Sequence, residues 1–216
     1  MTETITRLFD NYADAEAAVT ELERMGVPHR DISLIANNAD NAHDHRVGGA
    51  DKPDTAGEEA AEDAGKGAGF GGLVGASGGL LAGLGLMAIP GLGPVVAAGW
   101  LASTAVGALT GAAIGAAGGG LVGALTHAGV TKEDAHVYTE GVRRGGTLVS
   151  AKVDDEKAAE ARRTLDGFRG VEAAGRGEAY RQEGWSQYDE SARPYSPDEA
   201  DRERRRYVDS SDQAPL

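Results

Sequence analysis

The chain has 216 residues, enough for one modest domain with extensions, and a formal net charge of −13. A surface of that sign is unsuited to nucleic acid, because binding to phosphates requires a cationic face. We therefore expect no nucleic-acid partner. The chain contains no cysteine, which excludes disulfide bonds and thiolate chemistry. The first residues lack the basic and apolar stretches of a signal peptide, so we also expect synthesis in the cytoplasm.

Residues 1–36 predict a β-α-β unit. Residues 5–9 combine β-branched and aromatic side chains, as is typical of a strand. Asp10 and Asn11 then offer an N-cap for a helix that runs to about Met25 and stops at Gly26. Residues 31–36 form a second apolar run and predict a second strand.

Residues 37–66 are rich in Asn, Asp, Gly, Glu and Ala, and this composition indicates a flexible acidic linker. His43, Asp44 and His45, with Asp40 nearby, could contact a metal ion. Two histidines in a flexible segment do not complete a ligand set, so we predict no metal site and no cofactor.

Residues 67–131 contain no formally charged side chain, and within them glycine recurs every fourth residue. Residues four apart lie nearly above one another on a helix, so such a run forms a ridge along which a second helix can approach closely. We therefore predict a glycine-zipper helical hairpin over residues 67–128. Its packing residues are Gly67, Gly71, Gly75, Gly79, Gly83, Gly99, Ser103, Gly107, Gly111, Gly115, Gly119 and Gly123, and its turn is Pro90, Gly91, Gly93 and Pro94.

This hairpin suits a membrane better than water. Each interior glycine costs a helix about 1 kcal/mol relative to alanine in water, whereas hydrocarbon enforces the helix. A helix over residues 67–89 would be about 34 Å long, enough to cross a core of about 30 Å. We expect insertion in the cytoplasmic membrane, self-association, and both termini in the cytoplasm, because Lys66 and Lys132 flank the outer ends. A buried oligomerisation element of a cytoplasmic assembly is the alternative.

The glycine-rich region matches three known kinds of functional sequence, and we reject all three. The dinucleotide pattern at residues 67–72 and the hydrolase pattern at residues 75–79 both lack the preceding strand that their chemistry requires. A proton-driven rotor subunit needs an intramembrane carboxylate, and residues 67–131 contain none.

Residues 129–175 predict a second set of strands and helices. Thr131 caps a helix beginning at Lys132, residues 147–153 form a strand, and Asp154 caps a helix that ends near Phe168. A short last strand follows at 171–174. Two β-α-β units of this kind predict an α+β, ferredoxin-like (β-α-β … α-β-α-β) sandwich: a four-stranded antiparallel sheet with helices on one face, interrupted by the hairpin.

Residues 176–216 are polar, and we predict a disordered tail. Its basic cluster, Arg202, Arg204, Arg205 and Arg206, is interleaved with acids and favours a solvated helix over a lipid-headgroup site. Arg143 and Arg144 are possible anion contacts, although a solvated helix end is the simpler interpretation.

Two segments carry a family resemblance: RDISLI at residues 30–35 and HVYTEGVRRGGTLV at residues 136–149. Together they resemble the bacterial heat-induced general stress protein domain of the YflT type, including versions with an inserted glycine-rich hydrophobic segment. The resemblance covers about residues 4–36 and 128–175. It implies a general stress-response protein of the bacterial cytoplasm or inner membrane and brings no catalytic residues.

Three functions remain open. The first is a non-enzymatic, membrane-associated stress protein that self-associates through its glycine zippers. The second is a soluble oligomeric scaffold, and the third is a small-molecule or metal-binding regulatory module, whose ligand is unknown. We predict that the chain is not an enzyme, because its expected helices and strands carry no carboxylate pair or nucleophile-base set.

Overall fold

The computed structural model describes residues 2–44, 84–89, 91–104 and 120–211, which form a mixed α+β fold. The centre of the fold is a five-stranded antiparallel sheet with the strand order β1-β5-β2-β4-β3. The strands are β1 (Thr2–Phe9), β2 (Ile32–Asn37), β3 (Gly85–Ile89), β4 (Gly93–Gly99) and β5 (Thr147–Asp154).

The helices are α1 (Tyr12–Arg24), α2 (Gly120–His127), α3 (Lys132–Arg143), α4 (Asp155–Gly167), α5 (Ala173–Gln182) and α6 (Pro197–Ser211). Local signals set several of their ends, as predicted. The Asn11 side chain accepts a hydrogen bond from the Ala13 amide, and the Thr131 hydroxyl accepts one from the Asp134 amide. Asp154 occupies the N-cap position of α4 without a side-chain capping bond.

Strand β5 lies between β1 and β2, so residues from both ends of the chain build one sheet. Leu8 of β1 is opposite Leu148, and Leu34 of β2 is opposite Val149. The predicted last strand is reduced to a single bridge between Leu8 and Val171, because α5 begins two residues later.

Helices cover both faces of the sheet, and the prediction of helices on one face is wrong. On one face Ile5, Leu34 and Val149 pack in a core with α1 and α4. On the other face Leu8, Ile35 and Leu148 share a core with residues of α2, α3 and α5. Every residue of β2 is buried, and a strand that is buried on both sides requires cover on both sides.

The predicted helical hairpin is wrong for residues 85–89 and 93–99, which form the strands β3 and β4. Strand β4 adds to the edge of β2 and β3 adds to β4. Val95 and Val96 point to opposite faces of the sheet and both are fully buried there. The apolar character of β4 is therefore explained by burial in the sheet. In the described ranges, no helix is both long enough and apolar enough to cross a membrane.

The flexible linker and the disordered tail are also corrected where the structure describes them. Asn37 and Asn38 are fully buried, and the side-chain amide of Asn37 donates to the carbonyl of Val142 at 3.1 Å. Residues 45–66 of the predicted linker lie outside the described residues. In the tail, α5 and α6 are helical, and Tyr180 is buried to 1% exposure because its ring completes the core beside α3.

Candidate functional site

Most of the predicted zipper lies outside the described residues. This group comprises Gly67, Gly71, Gly75, Gly79, Gly83, Gly107, Gly111, Gly115 and Gly119, together with Pro90 of the turn. The zipper therefore stays a prediction at these positions. The described members are Gly99, Ser103 and Gly123.

Gly99 is a strand residue and does not belong to a helical ridge. It ends β4 with φ of +86°, opposite Ser33 of β2. A Cβ at this position would collide with the backbone carbonyl of Ile32, so the sheet itself requires glycine here. Ser103 follows in a helical turn over residues 100–104, and its hydroxyl donates to the carbonyl of Gly99. Gly123 lies in the short helix α2, far along the chain from both.

The described turn residues, Gly91, Gly93 and Pro94, do lie at a turn, but it joins two strands. The Leu92 amide donates to the carbonyl of Ile89 at 3.0 Å, while Gly91 and Gly93 adopt φ of +75° and +83°. Pro94 pairs with Ala88 across the hairpin. Glycine is needed at both positive-φ positions because L side chains rarely adopt that conformation.

The open end of this hairpin is where the two glycine-rich segments meet the domain. Residues 45–83 join β3 at Leu84, and residues 105–119 follow the helical turn that comes after β4. Because β3 and β4 are antiparallel, with Gly85 opposite Ala97, the start of β3 and the end of β4 lie side by side. The first segment therefore joins the sheet beside the end of β4, and the second begins one helical turn after that end.

A buried cluster of arginines and carboxylates lies at the C-terminal end of α3. Glu140 is completely buried and accepts hydrogen bonds from Arg143 at 2.7 and 2.8 Å and from Arg144 at 2.7 Å. Arg144 also pairs with Glu183 and Glu203, each at 2.8 Å. The prediction of a solvated helix end at Arg143 and Arg144 is wrong, because Glu140 pairs with both guanidinium groups, and Glu183 and Glu203 from two distant segments also pair with that of Arg144.

A second buried pair joins the start of α1 to α5. Arg176 is 5% exposed and pairs with Asp10. Burial raises the pKa of Asp10, while the nearby Arg176 guanidinium acts in the opposite direction. Aromatic rings cover both arginine groups: Tyr180 lies 4.0 Å from the Arg144 guanidinium, and Tyr207 lies 3.6 Å from that of Arg176.

Two residues of the basic cluster in the tail form ion pairs with other parts of the protein, at partly exposed positions. Arg204 pairs with Asp40 in the loop after β2, and Arg206 pairs with Glu183 and Glu203. The guanidinium groups of Arg204 and Arg206 are therefore paired with carboxylates, whereas a lipid-headgroup site would require them to be available. Sequence reasoning missed this role because Asp40 and Arg204 are far apart in the chain.

Within the part of the chain that the structure describes, no three His, Cys, Asp or Glu side chains are grouped so as to hold a metal ion. His43 stacks on Tyr12 with ring centroids 4.2 Å apart, and His45 lies outside the described residues. The stacking gives His43 a packing role between the loop after β2 and α1.

Comparisons with protein-family models, with curated proteins and with solved structures gave no match to this chain. The geometry of the described residues and the sequence pattern therefore carry the functional argument alone.

Proposed function

We propose that this chain is a non-enzymatic bacterial stress-response protein whose α/β domain holds a glycine-rich apolar segment for self-association. The observation that carries the proposal is the position of that segment. Residues 67–83 lead into β3 at the open end of the β3–β4 hairpin, and residues 105–119 begin one helical turn after β4 ends there. Attachment of both parts at this end favours contact between two ridges of small residues, within one chain or between copies.

The arrangement of three strands and two helices supports the stress-protein part of the proposal. Strands β1, β5 and β2 are neighbours, and α1 and α4 share one core against them. The bridge between Leu8 and Val171 marks the position of a fourth strand beside β1. We propose that these elements are the ferredoxin-like unit expected from the resemblance to the YflT-type domain, and that β3, β4 and the second helical layer are additions to it.

Membrane attachment is the second candidate function, and it is favoured by the absence of formal charge from residues 67–83 and 105–119. Length now argues against a full crossing. A helix over residues 67–83 would be about 26 Å long, which is shorter than a hydrocarbon core of about 30 Å. Self-association is therefore the leading role of the segment.

Sedimentation velocity on the full chain tests the proposal. We expect an oligomer that Gly111→Leu and Gly115→Leu weaken, because a side chain on the ridge keeps two backbones apart. Ala108→Leu and Ala112→Leu, which add the same side chain off the ridge, are the matched controls. A monomeric wild-type protein, or equal effects of ridge and off-ridge variants, would reject assembly through glycine ridges.

Cell fractionation separates the two candidates. Recovery of the protein in the soluble fraction, with oligomers intact, supports the assembly role alone. Retention in membranes after a carbonate wash supports membrane insertion.

A further inference from the structure

Residues 184–211, which we call the C-terminal strap, cross one end of the domain. Three glycines of the domain lie directly beneath the strap. A Cβ on Gly91 would collide with the hydroxyl of Tyr188, one on Gly93 would lie 3.0 Å from Pro194, and one on Gly145 would lie 2.9 Å from Ala200. The strap thus lies close against the turn of the β3–β4 hairpin and the end of α3.

Charge accounts for much of the attachment of α6. Nine of its fifteen residues are charged. Arg204 pairs with Asp40 of the domain at 2.5 Å, Glu203 pairs with Arg144 at 2.8 Å, and Arg206 pairs with Glu183 at the end of α5. The Arg176 guanidinium lies over the ring of Tyr207.

Apolar contacts of the strap are smaller than those of the sheet. Ala200 and Tyr188 are buried, and Trp185 and Tyr207 are partly buried against the second core. The sheet, in contrast, has an apolar core on each face. Salt therefore acts differently on the two parts of the molecule, because it screens charge attraction and leaves apolar burial intact or stronger.

We propose that the strap is an ionic latch: it opens as ionic strength rises, while the sheet stays folded. The screening length falls from about 8 Å in physiological salt to about 3 Å in 1 M salt, so the partly exposed pairs of Arg204 and Arg206 weaken first. Opening uncovers Tyr180 and the hairpin turn at Leu92, both of which are buried in the closed form. A link from opening to assembly rests on the proposed function, whereas the latch itself does not.

Thiol labelling tests the latch, because the chain has no cysteine of its own. In Ala200→Cys the single thiol lies on the buried side of the strap, against Gly145, and in Ser191→Cys it lies on the exposed surface of the strap. We expect the rate of labelling by N-ethylmaleimide at position 200, relative to position 191, to rise at least about tenfold between 0.05 M and 1 M NaCl. Hydrogen exchange of the α6 amides in the unaltered chain gives the same readout without a substitution.

Two matched variants separate the latch from a general salt effect. Arg204→Gln removes a pair to the domain and should open the strap at lower salt. Arg193→Gln removes the same charge from a pair with Glu199 inside the strap and should leave the opening point unchanged. Sucrose at equal osmolality should have no effect, because it does not screen charge.

Salt-independent labelling and exchange, or equal behaviour of Arg204→Gln and Arg193→Gln, would overturn the latch. Sedimentation of the same samples addresses the link to assembly. If the strap opens while the oligomeric state is unchanged, the link to assembly is overturned but the latch is supported. If the strap opens at the same salt concentration at which assembly changes, both the latch and the link are supported.

Discussion

At the scale of single residues, the most constrained side chain of the described structure is Glu140. It is completely buried and accepts hydrogen bonds from two arginines that are themselves mostly buried. Breaking one side of a buried ion pair is costly because an uncompensated charge remains in a medium that solvates it poorly.

We expect Glu140→Gln to lower the free energy of unfolding by about 3 to 5 kcal/mol. The amide removes the negative charge and leaves Arg143 and Arg144 close together. Urea denaturation measures the effect. Glu21→Gln, which disrupts the surface pair with Arg24 on α1, is the control and should cause no measurable change. Equal effects of the two variants would contradict the prediction.

Tyr138 connects stability to pH. Its hydroxyl donates to the carbonyl of Thr6 at 2.8 Å and accepts from the Ala173 amide, and burial raises the pKa of Tyr138 to about 12 from its ordinary value of 10. Because the pKa is higher in the folded state, this group's contribution to stability is complete below pH 10 and is lost as the pH rises towards 12.

We therefore expect Tyr138→Phe to be less stable than the unaltered protein at neutral pH, because the variant lacks the hydrogen bonds of the Tyr138 hydroxyl. As the pH rises above 10, the variant should lose less further stability than the unaltered protein. The difference in slope should approach about 1.4 kcal/mol per pH unit above about pH 10. Urea denaturation of both proteins between about pH 9 and about pH 11 measures it. Parallel pH profiles would show that Tyr138 does not titrate with this linkage.

Gly141 shows where close glycine packing does occur in the described fold. It lies in the interior of α3, and an added Cβ would collide with the methyl groups of Leu8 on β1. Gly175 in α5 has no such neighbour.

We expect Gly141→Ala to lower stability by about 1 to 2 kcal/mol, because the cost of overpacking exceeds the gain in helix propensity of about 1 kcal/mol. Gly175→Ala should be neutral or stabilising by up to about 1 kcal/mol. Thermal unfolding of both variants tests this contrast. A stabilising Gly141→Ala would mean that α3 packs less closely on β1.

At the scale of elements, the sequence predicts structure well where a local signal is decisive. The caps at Asn11 and Thr131 and the positive-φ Gly26 set the ends of α1 and the start of α3, and the structure confirms them. The four-residue glycine period is ambiguous, because residues four apart share a face on a helix and on a strand alike. Residues 85–89 and 93–99 form strands, because β4 completes hydrogen bonds along the edge of β2.

The candidate site was less predictable than the fold. The spacings Glu140 to Arg143 and Glu140 to Arg144 were visible in the sequence as local helix pairs. The partners Glu183 and Glu203 lie about 40 and 60 residues further along, in a segment whose composition indicates disorder. A long-range contact of this kind leaves no periodic signal, so only the folded structure brings these charges together.

The β3–β4 hairpin supplies a direct test of strand against helix. Val96 is fully buried and pairs with Leu86, which is 50% exposed on the edge strand. We expect Val96→Ala to cost about 2 to 3 kcal/mol, although alanine is the better helix former. Leu86→Ala should cost less than about 1 kcal/mol, because half of this side chain already faces solvent. Comparable losses for the two variants would contradict the described register.

At the scale of the whole molecule, the order of strands couples the two ends of the chain. Strand β5 comes from the C-terminal half, yet both of its neighbours, β1 and β2, come from the N-terminal half. Strand β5 therefore joins β1 to the β2–β4–β3 part of the sheet, and its pairing with β2 closes a loop of more than a hundred residues between Ala36 and Thr147.

We consequently expect the sheet to unfold as one cooperative unit, and to fold slowly because its pairings are distant in sequence. Hydrogen exchange should give the amides of β1, β2 and β5 a common opening free energy equal to that of global unfolding by urea. The amides of α6 should exchange through a smaller opening, because the strap is held by ion pairs at the surface of the domain. If β1 and β5 together opened at lower free energy than β2, the β1–β5 pair and the β2–β4–β3 part of the sheet would be separable folding units. If α6 instead matched the sheet, the strap would be an integral part of the cooperative core.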